Sequence, residues 1–378
     1  MALSEYIFTP AQGSLTPPHD FGATAVIDGN VVNITPFRTA NVPPPMSLFQ
    51  LTTEGSAIDV TFGHEDSTIA VLHSAGVDVF SWATKDGRRV APTLAAKAPM
   101  PLGSAKELPL QVFCSGPDEF CVLSHGEEPY LHPFALDSST KTILFQDPLE
   151  LSPGSSVATC TTSSFVDDGT TKGYVQTRGG SIQEVTSGAL QPLSAWLPAF
   201  LPWNKVVSVD GDLVAIGLNR NGHLYAGSRA LAKNCTSFLV TLDHIIFTTN
   251  NHFVKFVHLD EVEAMEVPGD DPEVDERCRS IERGARLITT IPTNMSLMMQ
   301  MPRGNVETIF PRAMVVAGIR KLVDEKNYRG AFMSCRTQRV DMNILYDHRP
   351  EQLISNVSLF LDQLGNVGYI DLFLSALK

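Results

Sequence analysis

Residue types that could do chemistry are present in this chain, but few are spaced for it. His64-Glu65-Asp66 and His125-Gly126-Glu127-Glu128 set imidazole beside carboxylate, the raw material of a proton shuttle or a metal site. Both groups fall at strand ends in polar turns, where solvated side chains are the expected state. Asp167-Asp168-Gly169 opens like a calcium loop, yet the later ligand positions of an EF-hand do not follow, so a turn is the simpler reading. His244, His252 and His258 share one hairpin region without the spacing that chelation favours. The sequence has no G-x-S-x-G elbow, no H-E-x-x-H pair, no Walker-type loop and no G-x-G-x-x-G. Its motifs therefore predict no catalytic residue, no metal and no cofactor.

What remains is electrostatic. Arg312, Arg320, Lys321, Arg329, Arg336 and Arg339 crowd the C-terminal quarter. Arg329, Arg336 and Arg339 recur at roughly helical intervals and would form a stripe on one exposed face. A basic stripe can hold RNA phosphates or an acidic partner, and the solvated side of an amphipathic helix has the same pattern. Arg320, Lys321, Arg329, Arg336 and Arg339 are the candidate partner or RNA contacts. From Asp260 to Glu276 there are nine acidic residues and no Lys or Arg. That run reads as a solvated, mobile loop between strands, open to a basic partner.

The elements that would position these groups are mostly hairpins. From Ala23 to about Phe310 a short apolar run, a tight turn and a second apolar run recur. Turns fall at Asp28-Gly29-Asn30, Ser74-Ala75-Gly76, His125-Gly126-Glu127, Arg178-Gly179-Gly180, Asn219-Arg220-Asn221-Gly222, Thr249-Asn250-Asn251 and Pro292-Thr293-Asn294. Gly and Asn dominate because turns that match strand twist need positive φ. Seven hairpins over about 300 residues give a period of roughly 40, the length of a four-stranded propeller blade. Gly63-His64 and Trp82 are faint WD40 landmarks; a β-sandwich is the alternative. Asn41-Val42-Pro43-Pro44-Pro45-Met46 is an extended stretch, either a stiff connection or a ligand for an aromatic groove.

After Val306-Glu307-Thr308-Ile309-Phe310 the period changes. Pro311 stands at a first helical position. One helix follows, a second runs from about Asn327 to Arg339, a third from Pro350 to about Leu364, and a fourth begins at Tyr369. Helical hairpins of this kind stack into solenoids, which need about three repeats for stability; here there are about two. The expected fold is thus mainly β: a seven-bladed WD40-like propeller over residues 1–310, then the first α-hairpins of a TPR-like solenoid over 311–378. The helical part should end abruptly or lean on the propeller. The opening in strand-like sequence and the stop within the apolar Ile370 to Leu377 are what a fragment would show.

Composition narrows the partners. The chain has 378 residues, 43% hydrophobic, and a formal charge of −13. Residues 302–378 hold 10 Lys/Arg against 8 Asp/Glu, leaving 18 against 33 for residues 1–301. An acidic surface repels phosphate backbones, so the β part is a poor nucleic-acid platform. Six scattered cysteines read as reduced, buried thiols. No run approaches the ~18–20 apolar residues of a membrane helix and no secretory leader opens the chain. The expected setting is cytoplasmic, with the nucleus as a second location and no membrane contact.

One stretch is more specific than any of these signals. Met301-Pro302-Arg303-Gly304-Asn305-Val306-Glu307-Thr308-Ile309-Phe310-Pro311-Arg312-Ala313, continuing to Arg339-Val340-Asp341-Met342-Asn343-Ile344-Leu345-Tyr346-Asp347-His348, resembles the IKAP family, the largest subunit of the Elongator complex. Asn41 to Met46 and Asp371-Leu372-Phe373-Leu374-Ser375 are similar to the same family in the same order. The resemblance implies the second of two propellers and the start of a helical solenoid. It implies a scaffold role, holding a catalytic radical-SAM and acetyltransferase-like subunit and a second WD40 subunit that together modify the wobble uridine of tRNA. Contact with tRNA would come through the whole complex. It implies no catalytic residues. The competing reading is a propeller enzyme, a hydrolase or lyase with its site in the central channel.

Overall fold

The computed structural model describes residues 11–42, 45–151, 158–164, 170–186 and 189–377. Among the described residues seven antiparallel blade sheets follow one another along the chain, and a two-stranded ribbon, Thr84–Lys85 with Arg88–Arg89, sits within the second. Blade 1 comprises Ala11–Gln12, Ala23–Asp28, Val31–Pro36 and Phe49–Thr52; blade 2, Ala57–Phe62, Thr68–His73, Gly76–Ser81 and Thr93–Ala98. Blade 3 is built from Leu108–Gly116, Glu119–His125, Pro129–Asp137 and Thr142–Phe145, with Leu149–Glu150 added to its third strand. Blade 4 holds Ala158–Ser164, Thr171–Thr177, Ser181–Thr186 and Ala189–Trp196. Blade 5 holds Trp203–Val209, Asp212–Leu218, Leu224–Ala226 and Arg229–Ala232. Blade 6 holds Cys235–Val240, His244–Thr249, Phe253–His258 and Cys278–Ser280. Blade 7 has three described strands, Arg286–Ile291, Ser296–Gln300 and Val306–Ile309. Each sheet is made from one contiguous stretch, which excludes the sandwich.

The seven turns read from the sequence fall one to a blade. In blades 1 to 6 they join the second and third strands; in blade 7 the turn joins the first and second. Their chemistry is local: Gly180 sits at φ +87, and a Cβ there would lie 2.1 Å from the Leu197 carbonyl oxygen. Strands sandwiched between neighbouring blades are apolar on both faces, as in Thr68–His73, where every residue is buried. The core therefore lies between blades. Leu72, Val77, Val112, Phe120 and Phe134 join blades 2 and 3, and Phe113, Leu131 and Val175 join 3 and 4.

The acidic run is seated more firmly than its charge suggested. Met265 is buried, with Val262 and Val267 packed against the blade 6 core. Lys255 Nζ donates to the Pro268 carbonyl at 2.8 Å and pairs with Asp270. Interleaved apolar residues hold the backbone down while most of the carboxylates stay exposed. In the proline stretch, residues 43 and 44 lie outside the described residues, as does Asp167-Asp168-Gly169.

The helical part begins with α1 (Arg312–Asp324), which Pro311 caps from outside, and α2 (Tyr328–Gln338). Then come α3 (Ile344–Asp347), α4 (Pro350–Ser355), α5 (Val357–Leu364) and α6 (Val367–Ala376). The single third helix expected from Pro350 to Leu364 is broken at Asn356, whose φ of −120° leaves the helical region while its side-chain amide donates back to the Gln352 carbonyl. The helices do lean on the propeller: Ala313 and Met314 join the core of blades 6 and 7, and Met295 packs into the helical core with Val315 and Ile319. Their outer face leaves Ile354, Val367 and Leu374 exposed.

Blades 1 and 7 must meet for the ring to close. Gln12 Nε2 donates to the Ile288 carbonyl at 2.7 Å. Asp20, fully buried, accepts from the Thr293 amide at 2.6 Å, the Thr293 hydroxyl at 2.7 Å and Arg38 at 3.0 Å. Gly22, at φ +61, lets Ile291 approach to where a Cβ would stand 2.8 Å from it. Replacing Thr293 by Val keeps the amide bond but removes the hydroxyl bond to a buried carboxylate. We expect Thr293→Val to lower unfolding free energy by about 1–2 kcal/mol in denaturant titrations with unchanged slope. A loss within the ~0.5 kcal/mol of an ordinary surface change would contradict this closure.

Candidate functional site: the central channel

The inner strands of the blades surround a channel of about 890 Å³, and Lys321 of α1 reaches its wall. It collects the titratable groups that an enzyme reading would need: Asp59, Asp66, Cys160 and Lys205. Most of their polar atoms point sideways, into the next blade. Asp59 Oδ2 accepts from the Val112 amide at 2.9 Å, bridging blades 2 and 3. Gln111 Oε1 accepts from the Cys160 amide at 3.1 Å, and Thr162 Oγ1 accepts from the Cys114 amide at 3.1 Å, bridging 3 and 4. Lys205 Nζ donates to the Thr162 carbonyl at 2.8 Å, bridging 4 and 5. Ser237 Oγ accepts from the Leu287 amide at 3.0 Å and Arg286 donates to the Thr236 carbonyl at 3.1 Å, bridging 6 and 7. The polar lining is a ladder that ties inner strands together.

Electrostatics agree with that role. Burial pushes the Asp59 carboxyl up to about 7 and the Asp66 carboxyl up to about 7, the latter opposed by nearby Arg89. Burial also lowers the Lys205 ammonium to about 8. The Cys160 thiol is held well above its ordinary range by burial, then by Cys121 and Asp59, so it is no thiolate nucleophile at neutral pH. All six cysteines are buried and free.

His64-Glu65-Asp66 is not the solvated turn its composition suggested. Glu65 and Asp66 take positive φ of 53° and 54°, which turns Asp66 inward to accept from the Ser14 amide at 2.7 Å. His64 Nδ1 meets Thr171 Oγ1 of blade 4 at 2.7 Å. Two further clusters stand out, and the sequence placed the histidines of the first in one hairpin region without pairing them. His244 and His258 are cross-strand partners with ring centroids 4.7 Å apart; burial and then the His258 charge push His244 down to about 4. Antiparallel register brings these two together across fourteen residues. Among the described residues no three His, Cys, Asp or Glu are placed to hold a metal.

The second cluster joins Ser124, His132 and Glu107, all buried. Ser124 Oγ lies 3.0 Å and Glu107 Oε1 2.6 Å from the same His132 nitrogen, Nε2, and Ser124 also donates to Glu107. A hydrolase triad needs its serine and its acid on opposite ring nitrogens. Here Nδ1 is buried without a partner among the described residues, so the cluster is a lock for blade 3. Burial would raise the Glu107 carboxyl, but the bonds from Ser124, His132 and the Gly103 amide outweigh it and hold it below the usual range.

The basic residues are exposed and each also makes contacts within the fold. Arg329 donates to the Gln363 and Leu364 carbonyls, closing the end of α5, and Arg336 stacks over Tyr369 of α6 at 5.2 Å. Arg339 is the left-handed residue that ends α2, and its carbonyl accepts from Arg312. Arg320 lines a groove of about 500 Å³ with Arg312, Asp341, Asp347 and His348, while Lys321 turns to the channel. Through helix–helix contacts the exposed charges of α2 reach α5 and α6. No helix among the described residues is long and apolar enough to cross a membrane.

A family model described as the ELP1 N-terminal second beta-propeller matches residues 26–288, and one described as the ELP1 alpha-solenoid matches residues 312–378. The chain belongs to the Elongator complex protein 1 family. It is similar to Elongator complex protein 1 of Schizosaccharomyces pombe (32% identical over 96% of this chain), of Saccharomyces cerevisiae (30% over 99%) and of Mus musculus (26% over 99%). It spans 29%, 29% and 31% of those proteins.

For this member of the Elongator complex protein 1 family, the ladder reading predicts a pH signature. A carboxyl raised to about 7 in the fold stabilises most below its unfolded value and loses that contribution as pH rises through 7. Asp59→Asn keeps an oxygen for the Val112 amide without the charge. Its melting temperature should therefore rise relative to the parent at pH 8 and match it more closely at pH 5. A constant difference across that range would refute the assignment.

Proposed function

We propose that the chain is a non-catalytic scaffold segment of the Elongator complex, which modifies the wobble uridine of tRNA. In this reading it holds the catalytic radical-SAM and acetyltransferase-like subunit and the second WD40 subunit in position. The propeller over residues 1–310 and the helical region over 311–378 act together, since α1 shares the core of blades 6 and 7. The observation that carries the reading is the channel: Asp59, Asp66 and Lys205, groups an enzyme would use, are committed to bonds between blades. Family membership supports assigning that scaffold to the Elongator complex.

A propeller suits this work because its faces are formed before a partner arrives, so little ordering entropy is lost on docking. Contact with tRNA comes through the whole complex, since residues 1–301 carry 33 acidic against 18 basic residues. Arg320 and Lys321, which are exposed, remain open to a partner or RNA; Arg329, Arg336 and Arg339 serve the helical packing first. The protein works in the cytoplasm, with the nucleus as a second site.

Affinity capture of the tagged chain from a mixture containing the other two core subunits should recover both. Failure under conditions where the full-length family member succeeds would overturn the docking role.

A further inference from the structure

Lys205 is the channel group whose bonding is least complete. Its ammonium has three N–H donors, and one of them serves the Thr162 carbonyl at 2.8 Å. Among the described residues no carboxylate pairs with it, and burial alone accounts for its lowered pKa. A cation enclosed by protein is costly unless an anion or further acceptors meet it. Ser163 is a second group of this kind. Thr162 turns its hydroxyl to the Cys114 amide of blade 3, so by strand alternation Ser163 turns to blade 5, the side from which Lys205 arrives. Ser163 is 8% exposed and lines the channel, and its hydroxyl has no hydrogen-bond partner among the described residues.

The channel carboxylates stand away from this wall. Asp59 and Asp66 belong to blade 2, three blades from blade 5 in a ring of seven. Asp210 lies in the turn after the Lys205 strand, five residues on, or about 16 Å along an extended chain. Asp243 occupies the matching turn of blade 6. Arg286 and Lys321, both exposed, add positive charge to the same channel.

We propose that the channel wall between blades 4 and 5 binds the phosphate group of a small molecule, with Lys205 Nζ and Ser163 Oγ as its donors. The channel, at about 890 Å³, has the size of a small-molecule site. Two N–H groups and one O–H approach from different directions, which suits a tetrahedral oxyanion; a planar carboxylate is better matched by the fork of an arginine. The bond to Thr162 holds Nζ against the wall before a ligand arrives, so little ordering is left to do on binding. Lys205 thus has two roles: one donor ties blade 5 to blade 4, and the other two serve the ligand.

Titration calorimetry on the chain tests this with glycerol phosphate, inorganic phosphate and acetate as probes. Both phosphates should bind saturably and in competition, the ester more tightly, and acetate about tenfold more weakly. Lys205→Met should weaken the ester about tenfold or more and Ser163→Ala about fivefold, while Arg320→Gln, in the groove away from the channel, changes nothing. No saturable binding of either phosphate would overturn the proposal, as would binding that survives Lys205→Met. Acetate binding as tightly as the ester would overturn the phosphate assignment, and free phosphate binding more tightly would overturn the small-molecule ester. If Lys205→Met fails to fold, the parent chain decides. Acylation of the Lys205 amine at pH 8, followed by mass spectrometry, should slow about tenfold in saturating glycerol phosphate, with the exposed Lys233 and Lys326 unchanged. Equal labelling with and without the ester would overturn it.

Discussion

A ring of sheets is only as stable as its seam. Each blade here is a local object, made from one stretch of chain and stabilised by its two neighbours, but blades 1 and 7 are separated by almost the whole propeller in sequence. Joining them costs chain entropy that no local contact repays. Asp20 bears much of this load: one buried carboxylate accepts from Thr293 twice and from Arg38 once, 273 residues apart in the first case. Phe37, Ile291 and Met298 form a small apolar cluster beside it, shielding those bonds from water. The helices depend on the same seam, since Met295, at the blade 7 turn that Thr293 belongs to, packs into the helical core.

Around the channel the same problem is solved repeatedly. Inner strands of neighbouring blades converge without sharing a backbone ladder, so side chains bridge them: Asp59, Gln111, Thr162, Lys205 and Ser237 each reach a main-chain group next door. This gives the ionisable residues that line the channel a structural role. Their perturbed acidities follow from enclosure by protein, which is a cost of the architecture. Perturbed groups cluster at active sites, but structural networks produce the same shifts. Partner geometry separates the two cases, as the single-nitrogen arrangement at His132 shows.

Much of the fold was legible in the sequence because its signals are short-range. Glycine and asparagine turns marked one hairpin per blade, and the switch of apolar period after Phe310 marked the first helix. What stayed hidden depends on distance in the chain or on backbone geometry. Asp20 gives no sign of its partner Thr293, and His244 meets His258 only through strand register. Asp66 looked solvated among polar neighbours, but two successive left-handed residues turn it inward. The acidic run looked unattached until Met265 was seen to anchor it. Spacing along α2 also could not show that Arg329 and Arg336, though exposed, reach across to α5 and α6.

The picture that results is a rigid body whose polar interior serves assembly of the ring, with its exterior left for partners. Its central claim concerns the channel, and one measurement addresses it directly. The full-length family member carrying Asp59→Asn together with Lys205→Met would be assembled with the remaining subunits, and the wobble-uridine modification of tRNA proposed for the complex followed. A scaffold predicts a rate within about twofold of the parent complex, with assembly intact. A loss of about a hundredfold in a fully assembled complex, the size expected on removing a general acid or base, would place chemistry in the channel and contradict it.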